Sequence, residues 1–308
     1  MKSKIFTKYM CYTVGCGIAL KYSLKIKDVN LKMAAVGLLG QVTVDFIFHP
    51  VDLVNTRTKY FYLEKLNTIT IAKRILSTTG MKGFFRGGSV TLLGSSYAGF
   101  VYFYFYKRIK DTLKKILEKE PNLMFLAYSF SSVVSEIIVY SFYYPFDLIK
   151  TRILCGQYEY KNFFDGVVQI WDKNNIKLSL KNLYSGFLPS LLLATTSSTL
   201  TMFTFEVSRD HYADKAGIKS EELGGMDYFK CALISGIITS FSLNFFEVYT
   251  IQKMIHGDNY NFKTFIKPAH FLQSLTSGIM ARNLYCIFYT ISLFEVLRIY
   301  GKVFNVVL

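Results

Sequence analysis

Six stretches of this chain stay apolar for nearly as long as a helix needs to cross a lipid bilayer, and nothing else in the sequence limits the possible folds so strongly. They occupy residues 33–54, 87–106, 125–144, 187–205, 231–246 and 278–297. A helix needs roughly 20 residues to span about 30 Å of hydrocarbon. The chain as a whole supports this reading, with 51% hydrophobic residues, 17% aromatic residues and a mean hydropathy of +0.27. The expected fold class is an all-α membrane protein with six transmembrane helices. Ser, Thr and Gly within several of the stretches suit the wall of a wet cavity better than a lipid-facing surface.

Charge and motif content narrow the function classes. Thirty-six Lys and Arg against 21 Asp and Glu give a net charge of +15. The bases flank the apolar stretches, as Lys107, Arg108, Lys110, Lys114 and Lys115 do, which fits an anionic lipid surface and not nucleic acid. Cys11, Cys16, Cys155, Cys231 and Cys286 are scattered, without a CxxC pair or a nearby histidine, and read as packing residues with no metal site. No nucleophile elbow, phosphate-binding loop or paired-acid arrangement begins an argument for an enzyme. Residues 1–30 form a basic extension in which Lys2, Lys4, Lys8, Lys21, Lys25 and Lys27 precede Asp28. A cleaved targeting peptide could look like this, but it lacks arginine. Phe6, Tyr9, Met10, Tyr12 and Val14 favour a retained interfacial or partner-docking helix.

The chain repeats itself. The segment HPVDLVNTR (His49 to Arg57) aligns with YPFDLIKTR (Tyr144 to Arg152) at an offset of 95 residues. A further step reaches NFFEVYTIQ (Asn244 to Gln252), where the acid survives as Glu247. About 35 residues after each comes a glycine before another apolar stretch, in GFFRGG, NLYSGF and SLTSGI. FYKRIK, FEVSR and FEVLR then close the three units. The units are 31–120, 121–220 and 221–308, all within a single transmembrane domain. Proline inside a helix removes one hydrogen bond and crowds the preceding turn, so Pro50 and Pro145 should kink their helices. Phe245 in the third unit predicts a straighter one.

Three such units carrying PxDxxKxR resemble the mitochondrial carrier family over nearly the whole chain. The match is fullest in the second unit (Pro145, Asp147, Lys150, Arg152), good in the first (Pro50, Asp52, Arg57) and poor in the third. The resemblance implies a six-helix barrel with threefold pseudosymmetry in the mitochondrial inner membrane. It also implies solute transport by alternating access, with a salt-bridge gate at each end of a central cavity. At the matrix gate the acid of each unit would pair with the base of the next. Asp52 keeps Lys150, whereas Asp147 would face Thr250 and Glu247 would face Asn55, leaving one pair of three. An unpaired acid in a dry interior costs about 3 to 5 kcal/mol, so Asp147 and Glu247 require water, a proton or another base. At the cytoplasmic gate the family pattern would pair Glu206 with Arg298 and Glu295 with Lys110, while Lys107 would face Arg209 with like charge. Two pairs against one would favour a matrix-open form.

The same carry-over places substrate contacts seven or eight residues after each glycine, at Gly94 and Ser95, Leu193 and Ala194, and Tyr285 and Cys286. None is a cation. Arg282 is either a substrate base or a brace for its helix start. Asp45 and Glu136 share a face with the gate acids and point either to a cationic substrate or to a structural link. Bound lipid, cardiolipin above all, is implied at Arg86 and Gly87, at Gly186 and at Gly278, where free backbone N–H groups begin helices; no other cofactor is expected. Two functions stay open: a solute carrier with a divergent pocket, or a transport-silent relative held as a structural subunit of an inner-membrane assembly such as a respiratory-chain complex.

Overall fold

A computed structural model describes residues 28–64, 66–117, 123–172 and 174–305. The basic extension and its expected helix, at residues 1–27, lie outside the described residues. The helices are α1 (Val29–Tyr60), α2 (Thr68–Thr79), α3 (Gly88–Ile116), α4 (Met124–Cys155), α5 (Phe163–Ile170), α6 (Ile176–Leu183), α7 (Phe187–Ala216), α8 (Gly225–His256), α9 (Phe262–Phe265), α10 (Pro268–Thr276) and α11 (Ile279–Phe304). Six are long, and each packs on the next until α11 returns to α1, closing a barrel. The shorter helices fill the connection inside each repeat.

Four of the long helices, α1, α4, α8 and α11, are long and apolar enough to cross a membrane. The other two, α3 and α7, have 29 and 30 residues. Their composition is more polar because charged turns continue the helix past the apolar stretch, and because α7 carries a Ser/Thr run at residues 195–199. Polar ends likewise extend α1, whose start is capped by Asp28 accepting hydrogen bonds from the backbone N–H of Asn30 (2.7 Å) and Leu31 (3.3 Å). Where α1 meets α3 the backbones themselves touch. A Cβ on Gly99 would stand 2.6 Å from the Gly37 carbonyl oxygen, the small-residue contact by which membrane helices approach closely.

One end of the barrel is sealed by aromatic rings. Tyr106, Phe205 and Phe294, at matching places in the three repeats, are fully buried, and the last two stack with centroids 3.6 Å apart. At the opposite end Pro50 and Pro145 lie inside continuous helices. This proline end is stitched by two threefold sets of hydrogen bonds. The residue before each proline position reaches the carbonyl just ahead of the glycine that starts the next long helix. His49 Nε2 lies 2.9 Å from Arg86 O, the Tyr144 hydroxyl donates to Ser185 O, and Asn244 Nδ2 donates to Ser277 O at 3.3 Å. In the second set Arg57 Nε donates to Leu154 O (2.7 Å), Arg152 Nε to Met254 O (3.3 Å), and Gln252 Nε2 to Lys59 O (3.2 Å) and Tyr60 O (2.8 Å). These bonds run α1 to α4, α4 to α8 and α8 to α1, a closed triangle. The third repeat therefore keeps both links with different side chains.

Replacing Gly99 with valine should cost about 3 kcal/mol through forced separation of α1 and α3. A Gly88→Ala control, whose Cβ would meet only His49 at 3.8 Å, should melt like the parent. Thermal unfolding of the purified protein in detergent checks both.

Candidate functional site

The barrel encloses a cavity of about 440 Å³ to which all six long helices contribute. Its charged lining consists of Asp52, Glu136, Asp147, Lys150, Glu247 and Arg282. Lys150 Nζ lies 2.7 Å from Asp52 Oδ2, joining α4 to α1 as the repeat register implied.

Glu247 faces Asn55, as the repeat register implied, and the base it required comes from other positions. Asn55 Nδ2 donates to its Oε1 at 3.0 Å, Lys59 Nζ lies 2.6 Å from its Oε2, and the Arg282 guanidinium reaches the same oxygen. Lys59 stands four residues beyond Asn55, one helical turn further along the same face of α1. The base of the first repeat has moved down a turn and reaches back, and a second base arrives from α11. Asp147 takes another route. It accepts the Tyr140 hydroxyl at 2.6 Å, whereas Thr250, its expected counterpart, donates to Phe246 O at 2.6 Å. Arg57 and Arg152, grouped with these acids by sequence, instead bond backbone carbonyls in the triangle above.

Of the expected pocket residues, Glu136, Leu193, Ala194, Arg282 and Tyr285 line the cavity. Gly94 does not: a Cβ there would stand 2.8 Å from the Tyr143 ring, so it is a packing position between α3 and α4. Asp45 is also away from the cavity lining. Its Oδ2 accepts from Ser95 Oγ and from Gln41 Nε2 (3.2 Å), which makes it a structural link between α1 and α3. Arg282 lines the cavity and is held within the protein, its Nε donating to Ser240 O at 3.1 Å while the guanidinium meets Glu247.

The aromatic end overturns the expected pairing. Glu206 is met by Lys110 (2.9 Å), by Arg209 of its own helix and by the Tyr106 hydroxyl (3.1 Å), all buried. Glu295 pairs with Arg298 one turn along α11 at 2.7 Å, and Lys107 with Asp111 at 3.3 Å. Lys110 goes to Glu206 because this is the one fully buried acid among the described residues and draws the nearest bases. Lys107 and Arg209, expected to face each other with like charge, each meet an acid, Lys107 its own Asp111 and Arg209 the Glu206 that it shares with Lys110.

Gly87, Gly186 and Gly278 cap α3, α7 and α11 with φ of 81°, 84° and 66°. Each sits against the end of another repeat's helix, beside Ile153, Lys253 and Lys59 respectively. Arg86 Nη2 donates to Tyr158 O at 3.0 Å. Sequence reasoning missed Lys59 and Gln252. Gln252 was open to discovery, because it occupies the register of Arg57 and Arg152.

A closed six-helix barrel in three pseudo-repeats, with a charged internal cavity bounded by interhelical ion pairs, defines a membrane carrier. Residues 27–117 and 121–216 match the family described as mitochondrial carrier protein, and the chain belongs to that family. It is 27% identical over 164 residues to mitochondrial substrate carrier family protein A of Dictyostelium discoideum, covering 51% of this chain and 48% of that protein. It is 26% identical over 223 residues to family protein M of the same organism, covering 68% and 71%. A mitochondrial arginine transporter of Arabidopsis thaliana is 28% identical over 133 residues, covering 42% and 43%. The chain thus spans about half the length of the first of these relatives. Members of this family are transporters rather than enzymes, and the chain is a mitochondrial membrane protein.

Replacing Glu206 with alanine leaves Lys110 and Arg209 buried with like charge. The expected loss is about 3 to 5 kcal/mol, read as a large fall in melting temperature. Glu295→Ala, at a half-exposed pair within one helix, should cost less than about 1 kcal/mol.

Proposed function

We propose that this protein moves a small solute across the mitochondrial inner membrane, as a multi-pass carrier working by alternating access. In this reading the Asp52–Lys150 pair and the Glu247 cluster form a gate on the matrix side. The Glu206 cluster and the aromatic layer form the gate on the cytoplasmic side. The observation that carries the reading is the cavity of about 440 Å³ to which all six long helices contribute, lined by the Asp52–Lys150 pair and Glu247. A chamber of that volume is within the range of small-molecule sites. Ion pairs between helices make closures that can re-form after each opening.

The reading of the chain as a transport-silent subunit of a respiratory-chain complex drew on the erosion of the third repeat. That erosion is of residue identity: Asn244 and Gln252 keep both hydrogen-bonded links of the proline end, which supports transport. Bound cardiolipin at Gly87, Gly186 and Gly278 belongs to the same proposal, because free N–H groups at helix starts favour phosphate.

Reconstitution into liposomes, with exchange measured over a panel of labelled solutes, is the test. Asp52→Lys and Lys150→Asp should each lower exchange at least about tenfold, or 1.4 kcal/mol, and the double swap should recover it. Stoichiometric co-purification with a membrane complex, with no exchange of any solute, would favour the silent reading.

A further inference from the structure

We propose that the solute is a small organic cation, recognised through its amine or guanidinium by Glu136 and Asp147. The inference rests on the transport reading above and adds the chemistry of the cargo. The cavity is lined by four carboxylates, Asp52, Glu136, Asp147 and Glu247, against two bases, Lys150 and Arg282. Both bases are committed, Lys150 to Asp52 and Arg282 to Glu247, and Lys59 adds a further positive charge behind Glu247. Among the described residues Glu136 and Asp147 have no basic side chain in ion-pair contact. Asp147 accepts the Tyr140 hydroxyl, and Glu136 and Ser198 both line the cavity.

A carboxylate or phosphate entering this chamber would meet two unmatched acids and no free base lining it, and it would lose its hydration without compensation. A cation meets the reverse. It exchanges water for carboxylates and for the faces of Tyr102, Tyr140, Tyr143, Tyr285 and Tyr289, which line the same space and attract positive charge through their quadrupoles. The two acids stand eleven residues apart on α4, about 16 Å along its axis, and so act as successive stations along the path. A bare metal ion fits less well, because no group of three His, Cys, Asp or Glu converges among the described residues.

The test uses the full chain in liposomes and in detergent. Labelled arginine and putrescine serve as cations, glycine as the neutral probe, and malate and phosphate as anions. Wild type should take up a cation, with glycine and the anions at background, and unlabelled cations alone should compete. Glu136→Gln and Asp147→Asn should each reduce that uptake at least about tenfold, or 1.4 kcal/mol. Should a variant fail to fold, competition on the wild type decides alone. Uptake of malate, phosphate or glycine in place of a cation overturns the inference and leaves the transport reading standing. Cation-induced thermal stabilisation that Glu136→Gln abolishes, without uptake of any probe, supports the binding site and overturns the transport reading. Neither uptake nor stabilisation overturns both.

Discussion

A carboxylate inside a helical barrel has few ways to remain charged, and the arrangement of this protein's acids follows from which way each one takes. Glu206 gathers two bases and a tyrosine hydroxyl at the aromatic end, fully out of water. Asp52 crosses to Lys150 on the neighbouring repeat. Glu247, deprived of the base that its register would supply, is served by Asn55, by Lys59 from one turn below and by Arg282 from α11. Asp45 settles for Ser95 and Gln41, a neutral arrangement that ties two helices. Removing one partner from a buried pair is far more destabilising than never having built the pair. A lost base must therefore be replaced from wherever the backbone allows. Glu136 and Asp147 lie on the cavity surface, where Asp147 answers the same constraint with the Tyr140 hydroxyl.

The threefold plan survives in chemistry more than in residue identity. His49, Tyr144 and Asn244 have little in common as side chains, yet each places a polar atom on the carbonyl that precedes the glycine start of the next long helix. Arg57, Arg152 and Gln252 share a reach to carbonyls at the end of a neighbouring helix. These carbonyls are the unsatisfied groups that every helix terminus carries. A donor of any type meets that need, and so selection on the link leaves the residue free to change.

That freedom explains how much could be read from the sequence. The six apolar stretches and the 95-residue offset between His49 and Tyr144 are properties of whole segments, and they were enough for the barrel and its three units. The Asp52–Lys150 pair was legible because both residues keep the repeated pattern. The partners of Glu247 were not, because alignment assigns one residue to one place while Lys59 acts from a turn away. The exchange at the aromatic end was hidden for a related reason. Glu295 and Arg298 satisfy each other along one helix, an outcome that a rule pairing neighbouring repeats does not consider. Asp45 and Glu136 looked equivalent in sequence, and only the packing of Ser95 against α1 separated a link from a cavity acid.

Ion pairs between helices favour the proline end, with Asp52–Lys150, Lys59–Glu247 and Arg282–Glu247 against Lys110–Glu206 at the aromatic end, and that count omits the triangle. Separating α1, α4 and α8 at the proline end would break the Asp52–Lys150 pair and also the bonds from Arg57, Arg152 and Gln252 to their carbonyls. At about 1 kcal/mol for each such bond, more where the donor is charged, the triangle adds several kcal/mol to that closure. The aromatic end counters with one buried cluster around Glu206 and the stacked Phe205 and Phe294. A carrier must visit both states, and a gap of about 5 kcal/mol between them would leave the less stable one almost unpopulated. The third repeat, which lost a proline and a base, kept the glutamine that completes the triangle.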